Sequence, residues 1–178
     1  HPLLEKVKLP ITKTVKQMED LVRHFGNKNI IWRYDPIVCW EDQGRFQSNF
    51  NQTDFEFLCR EFSSMGLKKC YFSYVTDYLK FKRRFFQKYP NLNILPGNQI
   101  APMQIIEKMR HISSEYGISL YSCCNDSLLG FNTSRGKCVS GVLLNELAGQ
   151  KTVSVAKKPT RSDCGCTQSI DVGDYINQ

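Results

Sequence analysis

The sequence predicts an α/β fold: a parallel sheet flanked by helices, arranged as a partial (β/α) barrel, with an irregular, cysteine-rich C-terminal extension. Two observations carry this reading. First, a helical segment that stops at glycine and runs at once into an apolar strand occurs three times. "TKTVKQMEDLVRHFG" leads into "NKNIIWRYDPIVCW", "TDFEFLCREFSSMG" into "LKKCYFSYVT", and "APMQIIEKMRHISSEYG" into "ISLYSCCND". Second, the strands are continuous apolar or β-branched runs rather than clean alternations, as expected for a parallel sheet covered by helices on both faces. Three or four such units are too few to close an eight-stranded barrel, so the sheet is open or is part of one.

Each element has a local reason. In the first helix Ile11, Val15, Met18, Val22 and Phe25 recur at three-to-four spacing. In the second, Thr53 and Glu56 form a capping box, Phe55, Leu58, Phe62 and Met65 form the buried stripe, and Gly66 ends it. In the third, Met103, Ile106, Met109, Ile112 and Tyr116 form the stripe and Gly117 ends it. "KFKRRFFQK" reads as a helix with Lys80, Lys82, Arg83, Arg84 and Lys88 in water and Phe81, Phe85 and Phe86 turned inward. After Cys124 the regularity fails: "NDSLLGFNTSRGKC" reads as loop, "VSGVLLNELAG" as a short helix, and "QKTVSVAKKPTRSDCGC" as irregular. The division is residues 1–125 for the partial barrel and 126–178 for an extension packed on the same domain.

The chain has 178 residues, 41% hydrophobic and 12% aromatic, enough for one core and too apolar for whole-chain disorder. No apolar run reaches membrane-spanning length, and no signal-peptide pattern follows His1. The chain is therefore expected to be cytoplasmic and to begin inside a longer gene product or after processing. Its net charge of +7 permits a nucleic acid or another polyanion as partner. The aromatics Tyr71 and Tyr74, read as exposed, suit that alternative.

Ligands of parallel α/β folds bind at the carboxyl ends of the strands. Those ends carry Arg33, Tyr34 and Asp35, then Ser73, Tyr74 and Thr76, then Ser122, Cys123 and Cys124. Arg33 and Tyr34 are the substrate-binding candidates, Arg33 because its guanidinium forks onto anions. Asp35 and Ser73 are the catalytic candidates, Asp35 orienting Arg33 or accepting a substrate proton. The bland reading of Arg33 and Asp35 is a structural ion pair or a turn at "DPI".

Eight cysteines in a chain of this size, without a secretory signal, point to metal or redox chemistry. Cys59 and Cys70 sit in a helix stripe and a strand and read as core; Cys39 is ambiguous. Adjacent strand residues face opposite ways, so one of Cys123 and Cys124 faces any shared site. The expected metal ligands are Cys124, Cys138, Cys164 and Cys166, with Cys123 the substitute for Cys124. Four thiolates suit zinc or an iron–sulfur cluster, and Gly165 lets Cys164 and Cys166 turn to one ion. The alternative is a set of buried free thiols.

"IIWRYDPI", "KKCYFSYV", a cysteine-bearing third strand followed by "GKC", and "CGCTQSIDVGDY", in that order, resemble the bacterial family catalogued as domain of unknown function 1848. The landmarks run from about Trp32 to Tyr175. The resemblance implies a relative of radical S-adenosylmethionine enzymes, with a TIM-barrel-like front part and a cysteine-rich tail holding a four-iron–four-sulfur cluster. It implies that this chain, lacking both, is a fragment of a longer enzyme or the product of a truncated gene, with S-adenosylmethionine a cofactor of the full-length protein. Thr76 stands where the family tends to have an acidic residue.

Overall fold

In the computed structural model, residues 9–75, 79–130, 133–156 and 163–167 are described. Seven strands and five α-helices are seen among them. In chain order they are α1 (Ile11–Phe25), β1 (Trp32–Ile37), β2 (Cys39–Asp42), β3 (Arg45–Ser48), α2 (Gln52–Ser64), β4 (Lys69–Tyr74), α3 (Leu79–Lys88), β5 (Asn93–Leu95), α4 (Ile100–Glu115), β6 (Ser119–Ser122), β7 (Thr133–Arg135) and α5 (Gly141–Ala148).

The main sheet has four parallel strands in the order β1-β4-β6-β7. The three strands read from the sequence are therefore parallel and adjacent, and β7 adds a fourth from the stretch expected to be loop. Its register runs Arg33 beside Tyr71, Tyr71 beside Tyr121 and Tyr121 beside Ser134. A second sheet, antiparallel and absent from the sequence reading, has the order β3-β2-β5. Its β2–β3 hairpin turns through Gln43 and Gly44, both at positive φ (50° and 75°), which suits a two-residue turn matched to strand twist.

Strand alternation sorts the main sheet into two faces. Trp32, Cys70, Phe72 and Leu120 join a core with Phe55, Cys59 and Phe62 of α2 and with Ile105, Ile106, Met109 and Ile112 of α4. Trp32 packs edge-on to Phe62, with ring centroids 5.0 Å apart. Val15, Met18 and Val22 of α1 pack against the same cluster, as its stripe predicts, but Phe25 is exposed. So α1, α2 and α4 share one face. Cys59 and Cys70 are core residues as expected, and Cys39 is buried too. Burying each large side chain in this cluster contributes about 1.5–3 kcal/mol.

Helix ends largely follow the glycines. Gly66 and Gly117 stand at φ 82° and 64° just past α2 and α4. The start of α2 differs from the capping box expected at Thr53 and Glu56. Asn51 is the N-cap, its side chain accepting from the Asp54 amide at 3.1 Å, so the helix begins earlier. In α3, Phe85 is buried but Phe86 is exposed beside the basic residues Lys82, Arg83, Arg84 and Lys88. No described helix is long and apolar enough to cross a membrane.

Candidate functional site

The second face of the main sheet carries the polar residues. Below its carboxyl edge, Tyr71 and Tyr121 stack with centroids 5.0 Å apart and planes 26° off parallel. Two residues further along each strand come Asp35, Ser73 and Cys123, a row drawn from β1, β4 and the end of β6. These three, with Arg33, Cys124 and Cys138, line a cleft of about 320 Å³. Val75 and Phe81 add an apolar wall.

Arg33 is the hub. Its Nε and Nη2 donate to Asp35 Oδ2 at 3.0 and 2.5 Å. Ser73 Oγ donates to the other carboxylate oxygen of Asp35. Asp35 therefore holds Arg33 with one oxygen and is held by Ser73 with the other. Arg33 Nη1 donates to Cys138 Sγ at 2.8 Å. Burial works against the guanidinium's charge, but the bonds to Cys138 and Asp35 outweigh it and hold its pKa above the ordinary value.

Two sulfurs meet at the cleft floor. Cys123 Sγ and Cys138 Sγ are 3.4 Å apart. The hydrogen bond with Cys123 is the largest influence on Cys138; burial opposes it, and Arg33 adds a bond and a positive charge. Together they hold the Cys138 thiol down to about 5, which favours its thiolate form. The same bond, and burial, push the Cys123 thiol up. Cys138 is exposed whereas Cys123 is buried. The loop bearing Cys138 is fixed by its backbone: the Gly136 amide donates to the Ser122 carbonyl at 2.6 Å. A Cβ on Gly136 would lie 2.9 Å from Cys123 Sγ, so the approach needs a glycine.

The chain from 163 to 167 docks beside this loop. The Thr167 amide donates to the Val139 carbonyl at 3.0 Å, and the Gly141 amide to Thr167 Oγ1 at 2.9 Å. The Val139 amide donates to Cys166 Sγ at 3.5 Å. Burial pushes the Cys166 thiol up to about 11, the bond from Val139 opposing. Cys164 and Cys166 are both buried.

A family model described as "Domain of unknown function (DUF1848)" matches residues 1–177. The chain belongs to that family. No curated protein and no solved structure matches it.

In this DUF1848 chain, Arg33, Asp35, Ser73 and Cys124 line one cleft, as their strand-end positions lead one to expect. Tyr34 does not join them. It points to the helix-covered face, its ring 5.0 Å from Phe55 and 6.0 Å from Phe50. Cys123 is the sulfur beside Cys138, a place the sequence reading gave first to Cys124. Cys124 stands at φ 53°, so strand alternation does not extend through it. Among the described residues no group of three or more His, Cys, Asp or Glu is gathered so as to hold a metal ion. The sulfurs of the C-terminal cysteines instead interact pairwise in a chain, Cys123 with Cys138, Cys138 with Cys166 and Cys166 with Cys164, so as placed they are not gathered around one zinc ion or iron–sulfur cluster. Tyr71 and Tyr74 are buried, at 7% and 6% exposure, not exposed as the polyanion alternative needs. Thr76 and residues 168–175 of the last family landmark lie outside the described residues.

Proposed function

We propose that this chain is the substrate-binding α/β unit of an enzyme of the radical S-adenosylmethionine-like class, and that a small molecule with an acidic group binds in the cleft above β1, β4 and β6. On this reading the barrel is completed, and the iron–sulfur cluster and S-adenosylmethionine are held, by other parts of a longer protein. One observation carries the substrate site: Arg33, Asp35 and Ser73, from two adjacent parallel strands, are bonded together at the edge where such sheets bind ligands. Asp35 and Ser73 orient the guanidinium, and an acidic ligand group takes the place of the Cys138 thiolate at Nη1. The order of the sequence landmarks supports the enzyme class.

The test is thermal-shift and calorimetric titration of the reduced protein with a panel of small carboxylates and phosphate monoesters, each paired with its neutral amide or alcohol. An acid that stabilises the protein, an inactive neutral analogue, and loss of the effect in Arg33→Gln are expected. Equal binding of acid and neutral analogue, or an undiminished effect in Arg33→Gln, would refute the site. The polyanion alternative rests on the basic face of α3, with Lys82, Arg83, Arg84 and Lys88 exposed. Retention on heparin that is unchanged when Arg83 and Arg84 are replaced by Gln would remove it.

A further inference from the structure

We infer that Cys138 and Cys123 form a redox-active dithiol that reduces a low-molecular-weight disulfide entering the cleft. Three features of geometry assign the roles. Cys138 is exposed, lines the cleft and accepts a hydrogen bond from Arg33 at 2.8 Å, so it is the sulfur that attacks. Cys123 is buried and 3.4 Å from Cys138, so it cannot meet a bulky disulfide first but can resolve one already formed. Closing that gap to a bond of about 2.05 Å takes a shift of roughly 1.4 Å, within reach of side-chain motion on an exposed loop residue. The buried thiols Cys39, Cys59 and Cys70 sit in the core, away from the C-terminal cysteines, and act as silent internal controls.

The reaction balances without a metal. The Cys138 thiolate attacks one sulfur of R–S–S–R, the sulfur–sulfur bond breaks, and one thiolate leaves and takes a proton from water. Cys123 then gives up its proton to the second departing sulfur. Its own sulfur attacks Cys138 Sγ and the second R–SH leaves. Two electrons pass to the substrate, which becomes two thiols, and the protein is left with a Cys123–Cys138 disulfide. An external thiol reverses it. Oxidation also removes the thiolate from Arg33 Nη1, which connects this step to the anion seat without depending on it.

The experiment uses the full chain, reduced, freed of reductant and mixed with glutathione disulfide, followed by released thiol and peptide mapping. Cys123 and Cys124 share the tryptic peptide 111–135 whereas Cys138 heads the peptide 138–151, so Cys124→Ser resolves the assignment. The expected result is two thiols released per chain and a 111–135 to 138–151 cross-link. The cross-link persists in Cys124→Ser and is lost in Cys138→Ser. Cys123→Ser stops with one glutathione on Cys138. Because Cys123 is buried, Cys123→Ala is made as well and both are checked by circular dichroism; the wild-type and Cys124→Ser maps stand without them. A mixed disulfide that persists in the wild type, glutathione spread evenly over the cysteines, or a cross-link to Cys124 or Cys166 would overturn the inference. So would zinc or iron at one equivalent in the purified protein that is lost with Cys138→Ser. None of these outcomes bears on acid binding at Arg33.

Discussion

Replacing Gly136 by alanine tests how the site is built. The added Cβ would lie 2.9 Å from Cys123 Sγ, 3.0 Å from the Ser122 carbonyl oxygen and 3.3 Å from its carbon. Two of those three contacts are backbone, and the Gly136 amide is itself bonded to that carbonyl, so the loop cannot absorb the methyl by turning one side chain. It must move away from the strand end by a few tenths of an ångström. Such overpacking costs about 1–3 kcal/mol. The displacement also separates Cys138 from Cys123, whose hydrogen bond is the largest influence holding the Cys138 thiol near 5. The pKa should therefore rise toward the ordinary thiol value. A rate at a single pH would read this poorly, because nucleophilicity rises with pKa with a slope of about 0.4–0.5 and offsets much of the lost thiolate. The informative assay is the pH profile of Cys138 alkylation, read by peptide mapping, together with urea unfolding. An alkylation midpoint that stays near 5 in Gly136→Ala, with unchanged stability, would show that neither the close approach nor the Cys123 bond sets the loop or the Cys138 pKa.

Three further outcomes are expected. A thiol whose folded pKa is depressed contributes stability that is present above its unfolded value and lost as pH falls through its folded value. Urea titrations of wild type and Cys138→Ser should thus differ most near pH 9, and the difference should shrink as pH falls to about 5. Phe62→Ala removes a ring packed on Trp32 in the core and should lower stability by about 3–5 kcal/mol, read by the same unfolding curves. Asn51→Ala should cost about 1 kcal/mol through loss of the α2 cap, whereas Thr53→Ala should cost much less.

The three helix–glycine–strand units were legible because each signal in them is local: a stripe at helical spacing, a glycine at positive φ, an apolar run. The second sheet was not. β2, β3 and β5 have only three or four residues each, and the β2–β5 pairing joins segments roughly fifty residues apart. The turn at Gln43 and Gly44 was the available clue, but Gln-Gly is a weaker hairpin signal than Asn-Gly or Asp-Gly. β7 was missed for the same reason of length. The site was legible as far as strand ends reveal it, which is how Arg33, Asp35 and Ser73 were found together. Tyr34 was misplaced although period-two alternation sets it opposite to both Arg33 and Asp35. The same alternation, carried from Leu120 in the core, puts Cys123 on the cleft side. Which adjacent cysteine meets Cys138 could thus be read only once the buried face of β6 was known.

The chain's two tryptophans fall one in each sheet, Trp32 in β1 and Trp40 in β2, and both are 2% exposed. Nature has in effect placed one fluorescent reporter in each half of the architecture, separated by a handful of residues in sequence. Emission from Trp32→Phe then follows the antiparallel sheet alone, and emission from Trp40→Phe follows the parallel one. Coincident denaturation curves for the two variants mean that the hairpin and the main sheet come apart as one cooperative unit. A curve for Trp32→Phe that breaks first means that the hairpin can peel away from an intact main sheet.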